Sequence, residues 1–192
     1  MKRKMVLIDR DGTIIREMGF LADPKKVHLL KGAAEGIRRL NKAGYKVVIV
    51  SNQSGVGRGY YSEARARWVT RAVIRALARR GAKIDDARFC PHHPEAAIGK
   101  YRKKCSCRKP GIGMAVKAAR KLGARLRGSP AIGDRLSDVK LGLNLGGPGI
   151  LVLTGYGKRN LRLVRKERIK PTVAVRNLAA AARWILRQQR EL

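Results

Sequence analysis

Two short acidic turns carry the residues whose types and spacing could do chemistry. Asp9-Arg10-Asp11-Gly12-Thr13 follows the apolar run Val6-Leu7-Ile8, and Gly133-Asp134-Arg135-Leu136-Ser137-Asp138 follows Ala131-Ile132. The two turns hold four of the 13 acidic residues in a chain with 45 Lys plus Arg, so solubility does not account for their placement. On an extended backbone, residues two apart point the same way. Asp9 and Asp11 would then face each other's charge and repel unless a cation sits between them. Mg²⁺ takes oxygen ligands of this kind and often completes its shell with a substrate phosphate. Asp134 is the further carboxylate.

A second cluster has different chemistry. Cys90 and His92 form C-x-H, Cys105 and Cys107 form C-x-C, and twelve residues separate the two halves. Three cysteines in one short segment suit a metal better than a disulfide framework. Three thiolates and one imidazole match a closed tetrahedral Zn²⁺ site, structural because no ligand position stays open. His93 is the alternative imidazole. The intervening Lys100, Arg102, Lys103 and Lys104 are too charged for a core. Arg108 and Lys109 follow Cys107 directly, so the zinc would hold a basic loop with two cations facing a phosphate. A cysteine phosphatase of the C-x5-R type is excluded, because Ala96, Gly111 and Gly113 stand where the arginine would be.

These turns need elements that bring them to one rim. Val6-Leu7-Ile8 reads as a buried strand, Ala33 to Ala43, closed by Gly44, as a helix, and Lys46 to Val50 as a strand running into Ser51-Asn52-Gln53-Ser54. Ser62 caps a long Arg-rich helix that stops at Gly81. Arg88 to Cys90 reads as a strand end, and Pro110 starts a helix to about Leu122. Strand Ala131-Ile132, a helix capped by Ser137 and ending near Gly146, strands Ile150 to Leu153 and Val173 to Val175, and a last helix capped by Asn177 complete the series. The alternation predicts an α/β fold, a parallel sheet flanked by helices, with ligands at the carboxyl ends of the strands. Gly55-Val56-Gly57-Arg58-Gly59 is neither a dinucleotide fingerprint nor a P-loop, and reads as a flexible turn whose N–H groups approach a substrate. Trp68 and Trp184 fall in helical segments and are expected to pack in a core or groove. Ile14 to Lys31 can form a flap but no cap domain, so the site should be open.

Together, DRDGT after the first strand, SNQSG after the second, the Lys of CRKPG, and GDRLSD resemble the four motifs of the haloacid dehalogenase superfamily of phosphatases. CPHH followed by CSC is similar to the zinc loop of its D-glycero-D-manno-heptose 1,7-bisphosphate phosphatase branch, a neighbour of the histidinol-phosphate phosphatases. The similarity covers roughly residues 5 to 157 in the right order. It implies a Rossmann-like fold and Mg²⁺-dependent hydrolysis of a phosphate monoester. A carboxylate attacking phosphorus splits one hard displacement into two easier ones, and Asp9 is the candidate nucleophile. Asp11 would protonate the leaving oxygen and later deprotonate the attacking water. By resemblance Asp9 and Asp134, with the Asp11 backbone carbonyl, hold Mg²⁺, Ser51 donates to the phosphoryl group and Lys109 neutralises it. Asp138 would orient Lys109 through an ion pair. Glu17, Met18, Gly19 and Phe20 of the flap would contact substrate, with Asn52, Gln53, Ser54, Arg108 and Arg135 completing the pocket.

The 192 residues fit a single domain, 1–192, with a zinc loop at about 90–109. At 44% apolar and 30% charged residues, general disorder is excluded. No apolar run approaches the ~20 residues of a membrane span. After Met1-Lys2-Arg3-Lys4, the run Met5 to Ile8 is too short for a signal-peptide core. A cytoplasmic monomer with no membrane partner is expected. The formal charge of +32 stands apart from this reading, since such a field attracts polyanions and steers acidic substrates. The basic stretches Arg65 to Arg80 and Arg183 to Arg190 read as solvated faces. The expected substrate is a small phosphorylated sugar, foremost a heptose 1,7-bisphosphate. One alternative is histidinol phosphate, which needs an acid near its amine or imidazole, with Glu17 as the candidate. The other is a nucleic-acid-binding or end-processing phosphatase, argued by charge and opposed by the lack of any recognised binding motif; non-specific nucleic-acid binding is expected in either case.

Overall fold

The computed structural model describes residues 3–166, 169 and 171–189. Met1, Lys2 and Arg190 of the basic stretches lie outside the described residues.

Period-2 alternation decides the architecture. β1 (Met5–Ile8) is buried at every position, with Val6 and Ile8 in one apolar cluster and Met5 and Leu7 in another. A strand apolar on both faces needs cover on both. β1, β2 (Lys46–Asn52), β3 (Asp86–Cys90), β4 (Ala131–Gly133), β5 (Gly149–Val152) and β6 (Val173–Val175) form one sheet in the order β3-β2-β1-β4-β5-β6, parallel throughout. Helices α1 (Ala33–Lys42), α3 (Glu63–Ala78) and α7 (Leu178–Gln188) bury Ile37, Leu40, Val73, Leu77 and Ile185 against the Val6 face. On the Leu7 face, α4 (Gly113–Leu122) and α5 (Leu136–Asn144) contribute Met114, Ala118 and Leu141. The strand order reverses direction between β1 and β4, and a doubly wound sheet opens its ligand crevice at that point.

Helix ends follow local hydrogen-bonding chemistry, with two departures from the sequence reading. Ser62 accepts from Arg65 N and Asn177 from Ala180 N, as expected of caps. Ser137, however, does not cap α5. Arg135 occupies that position, and the Asp138 carboxylate accepts its N–H at 3.1 Å, which leaves Ser137 free to face the cleft. Nor does α4 start at Pro110. Gly111 N bonds Arg108 O at 2.7 Å and Gly113 N bonds Ser106 O at 2.8 Å, so residues 109–112 complete the preceding loop before helix can form.

Two further helices had no counterpart in the sequence reading. One turn of helix, α2 (Ser54–Gly57), replaces a flexible turn, and α6 (Gly157–Lys166) had little apolar signal because Val164 is its main buried anchor. Trp184 packs partly buried against the core, but Trp68 is 39% exposed with the Arg65 guanidinium 4.8 Å over its ring. No helix among the described residues is long and apolar enough to cross a membrane.

Candidate active site

The cleft begins where β1 ends. Asp9 N still bonds Ile132 O at 2.9 Å, which holds Asp9 in the sheet one residue beyond β1. The chain then turns, with Ile14 N and Ile15 N both bonding Arg10 O at 3.0 Å, so Asp11 reaches the cleft through a turn and not by period-2 extension. Gly12 makes that turn possible. Its φ is +77°, and a Cβ there would collide with the Asp134 carboxylate. Asp134, at the end of β4, is fully buried, and one carboxylate oxygen each of Asp9, Asp134 and Asp138 lie within 4.8 Å of one another.

Among the described residues, Lys109 supplies the one buried cation in contact with this group. Its Nζ lies 2.5 Å from Asp9 Oδ1, 2.6 Å from Asp138 Oδ1 and 2.8 Å from Val50 O. Burial alone would lower the Lys109 pKa, but Asp138 and Asp9 outweigh it and hold the side chain as an ammonium. One positive charge does not balance three carboxylates. Burial raises the Asp9 pKa well above the usual range, and Asp138, Asp134 and Asp11 add to what Lys109 only partly offsets. Asp134 is pushed up to about 7, chiefly by burial, although Tyr156 N donates to its Oδ2 at 2.7 Å. Its Oδ1 is buried with no hydrogen-bond partner. A buried, undonated carboxylate oxygen among other carboxylates fits a hard divalent cation such as Mg²⁺.

β2 delivers the opposite wall. Gln53 Nε2 donates to Asp11 Oδ2 and to Ser51 Oγ, both at 2.8 Å, and Tyr61 OH fixes the amide by donating to Gln53 Oε1 at 2.7 Å. Asn52 clamps the Lys109 backbone, accepting from its N–H at 3.0 Å and donating to its carbonyl at 3.1 Å. All the catalytic and substrate-contact residues read from the sequence except Met18 border one cleft of about 310 Å³. Met18 is 45% exposed and lies off it, because the flap turns at Gly19, where φ is +73°. Glu17 accepts from Gly19 N at 2.7 Å and faces Arg135 at 3.5 Å. Phe20 packs edge-on against Tyr60 with ring centroids 4.6 Å apart.

Sequence reasoning missed Tyr61, Ser137 and Tyr156 on the cleft wall and Arg10 behind it. Tyr156, stacked 4.3 Å from the Arg135 guanidinium, follows β5 between Gly155 and Gly157, a glycine signal that the sequence reading passed over. Arg10, standing between two aspartates, carried an acidic one.

Beside the cleft, Cys90 Sγ, His92 Nδ1, Cys105 Sγ and Cys107 Sγ gather within 4.8 Å of one another. The three sulfurs are 3.2 to 3.6 Å apart and unbonded. A tetrahedron with ~2.3 Å Zn–S bonds has edges of about 3.8 Å, so the cage fits Zn²⁺ after a small expansion. Burial pushes the Cys90 thiol up, as expected for a sulfur that needs a metal charge to ionise. His93 stands outside the cage, its Nδ1 accepting from Glu95 N. Arg108 Nη1 donates to His92 O at 3.0 Å, which ties the cage to the cation facing the cleft.

A parallel sheet with acidic turns at the β1/β4 crevice and a lysine between them defines a class of hydrolase, and the comparisons agree. A family model described as HAD-hydrolase-like matches residues 106–181, and one described as Polynucleotide kinase 3 phosphatase matches residues 4–129. The chain belongs to the haloacid-dehalogenase-like family of phosphatases, which hydrolyse phosphoric monoesters.

Its relatives narrow the branch. The D-glycero-β-D-manno-heptose-1,7-bisphosphate 7-phosphatase of Rhodopseudomonas palustris is 41% identical over 148 residues, covering 77% of this chain and 82% of that protein. The D-glycero-D-manno-heptose-1,7-bisphosphate 7-phosphatase of Thermosynechococcus vestitus is 37% identical over 96% of each chain. The solved D,D-heptose 1,7-bisphosphate phosphatase from B. bronchiseptica, complexed with magnesium and phosphate, superposes with a TM-score of 0.81 at 33% identity, covering 96% of this chain and 99% of that one.

Proposed function

We propose that this phosphatase removes the 7-phosphate of D-glycero-D-manno-heptose 1,7-bisphosphate in a Mg²⁺-dependent reaction through an aspartyl-phosphate. The observation that carries this reading is the presence of two cationic positions on one cleft. Lys109 is buried among the carboxylates, while Arg108 and Arg135 border the wall. Burial lowers the Arg108 pKa and the like charges of Arg58 and Arg135 lower it further, whereas burial at Arg135 is outweighed by Asp134, Glu17 and Asp9, which hold it charged, so Arg108 is a guanidinium crowded by other cations. Such crowding is unfavourable until an anion binds. A substrate with two phosphates satisfies both positions, and the 7-phosphatase names of the relatives support which one is cleaved.

In the first step an Asp9 carboxylate oxygen bonds to phosphorus, the bond from phosphorus to the sugar oxygen breaks, and Asp11 donates its proton to that oxygen. In the second, a water oxygen attacks phosphorus, its proton passes to Asp11, and the Asp9–phosphorus bond breaks. Ser51 and Lys109 hold the phosphoryl oxygens. Asp9, Asp134 and the Asp11 carbonyl would hold Mg²⁺, which when bound draws charge from the phosphoryl oxygens. Cys90, His92, Cys105 and Cys107 would hold a structural Zn²⁺ that keeps Arg108 and Lys109 in place.

Glu17, committed to Gly19 N and Arg135, is a poor partner for the amine of histidinol phosphate. A nucleic-acid terminus is the second reading, favoured by the charge of +32 and by the match to the polynucleotide phosphatase model over residues 4–129. Phosphate release at about 200 mM salt, where non-specific nucleic-acid binding is largely lost, separates the readings. Heptose 1,7-bisphosphate should turn over faster than heptose 7-phosphate, histidinol phosphate and a 3′-phosphorylated oligonucleotide. Preference for the oligonucleotide would replace the sugar reading, and equal rates on the two heptoses would remove the two-phosphate argument.

A further inference from the structure

We propose that Arg10 is a positioning residue that holds Asp11 in the orientation from which it transfers protons; the proposal rests on the reading of Asp11 as acid and base. Arg10 follows Asp9 directly, yet it does not border the cleft and is 1% exposed, among the largest fully buried side chains. A guanidinium so deep is tolerated only with its donors paired. The pairing is directed. Nε lies 3.1 and 3.0 Å from the two oxygens of Asp11, Nη2 lies 3.0 and 2.9 Å from the same two, and Nη1 donates to Thr70 Oγ1 at 3.1 Å. Thr70 in turn donates to Ala66 O at 2.9 Å within α3. The Asp11 carboxylate is therefore gripped along one edge by a planar fork whose far end is anchored to a helix packed on the sheet.

From the cleft side, Gln53 Nε2 and Ser51 Oγ approach Asp11 Oδ2 at 2.8 and 3.4 Å. Among the described residues Arg10 alone donates to the other oxygen, and the backbone gives little help, because Asp11 precedes Gly12 in a left-handed turn. A carboxylate that must first donate and then accept a proton at one point gains from a fixed orientation. A merely structural Arg10 would stabilise the fold and leave the balance between the two chemical steps unchanged.

That balance is the test. With p-nitrophenyl phosphate the leaving oxygen needs little proton assistance, so transfer to Asp9 should survive, whereas attack of water still needs Asp11. Two variants are compared with wild type, R10K, which keeps the charge but loses the fork, and T70V, which removes only the anchor. The kcat on heptose bisphosphate should fall about 10- to 100-fold in R10K and about 3- to 10-fold in T70V, with KM within about twofold, since proton transfer contributes ~10²- to 10⁴-fold in all. Both variants should show a pre-steady-state burst of p-nitrophenol, as D11N should. In the D11N background R10K should cost no more than about a further twofold, because residues acting through one another are non-additive.

A rise in KM at unchanged kcat, absence of the burst in folded variants, or a full additional loss in R10K/D11N would each overturn the proposal. So would T70V behaving as wild type while R10K fails to fold, since Arg10 would then serve the fold alone. If D11N itself keeps wild-type turnover, the reading of Asp11 fails instead.

Discussion

Replacing Lys109 by methionine keeps the length of the side chain and deletes a buried cation set among three carboxylates. Lys109 and its partners are almost fully enclosed, with side-chain exposures of 2% for Lys109, 8% for Asp9 and 2% for Asp138. At contact distances of 2.5 and 2.6 Å and an effective dielectric of ~20, each pair carries about 6 kcal/mol of raw attraction, most of it spent offsetting desolvation. Deleting one partner of such a pair leaves the other charge stranded, which typically costs roughly 3–5 kcal/mol. For a chain of this size that is a fall of about 6–20 °C in melting temperature. Thermal melts followed by circular dichroism in EDTA near neutral pH measure it. Adding Asp138→Asn to Lys109→Met should recover part of the loss, because it removes one stranded charge, and Mg²⁺ should do the same. A Lys109→Met melting point within about 2 °C of wild type in EDTA, or a double variant less stable than the single one, would show that the cluster's charges are solvated by some other route.

Three other outcomes follow from the same geometry. Asp9→Asn should fold and lose turnover entirely, since an amide forms no acyl phosphate; mass spectrometry after brief substrate exposure should find +80 Da on wild-type Asp9 in Asp11→Asn protein and none in Asp9→Asn, given ~80 for a phosphoryl group replacing hydrogen. Purified protein should carry about one Zn per chain, and Cys107→Ser should lose it with much of the activity, whereas Lys109→Ala should keep it; metal analysis decides. Asp134 releases its proton near 3.8 when unfolded but at about 7 when folded. Its contribution to metal-free stability is therefore complete below pH ~4 and lost as pH rises to ~7, at roughly 1.4 kcal/mol per unit. Melts in EDTA should fall over that window and flatten with saturating Mg²⁺; a rise in stability with pH would contradict the burial that displaces Asp134.

How much of this was legible in the linear chain differs between elements. Strand and helix order was readable because β1, β2, β4 and β5 are short apolar runs and because Ser62 and Asn177 are local caps whose hydrogen bonds span three residues. The candidate metal ligands were readable because Asp9, Asp134 and the cysteines are chemically costly to place by chance. Less legible were features set by a competition between neighbours. Arg135, its N–H bonded to Asp138, takes the α5 cap in place of Ser137, the loop carrying Cys105 and Cys107 delays α4 past Pro110, and the turn at Gly19 puts Met18 outside the cleft. The helix α6 was passed over because its first turn, Gly-Lys-Arg-Asn, is polar, although Leu161 and Val164 beyond it share one face.

Residue type and spacing by themselves determined the class of chemistry: carboxylates at strand ends in a basic chain call for a cation and a phosphate, and C-x-H with C-x-C calls for a soft metal. Only the tertiary structure decided which charge meets which. Lys109 is 100 residues from Asp9 in the chain, and Thr70 is 60 from Arg10, yet each pair is in hydrogen-bond contact. Local propensity carries no information about such pairings. They arise because the sheet order β3-β2-β1-β4-β5-β6 sets the ends of β1, β2 and β4 side by side, and because buried charges leave water only where a partner from another element awaits them.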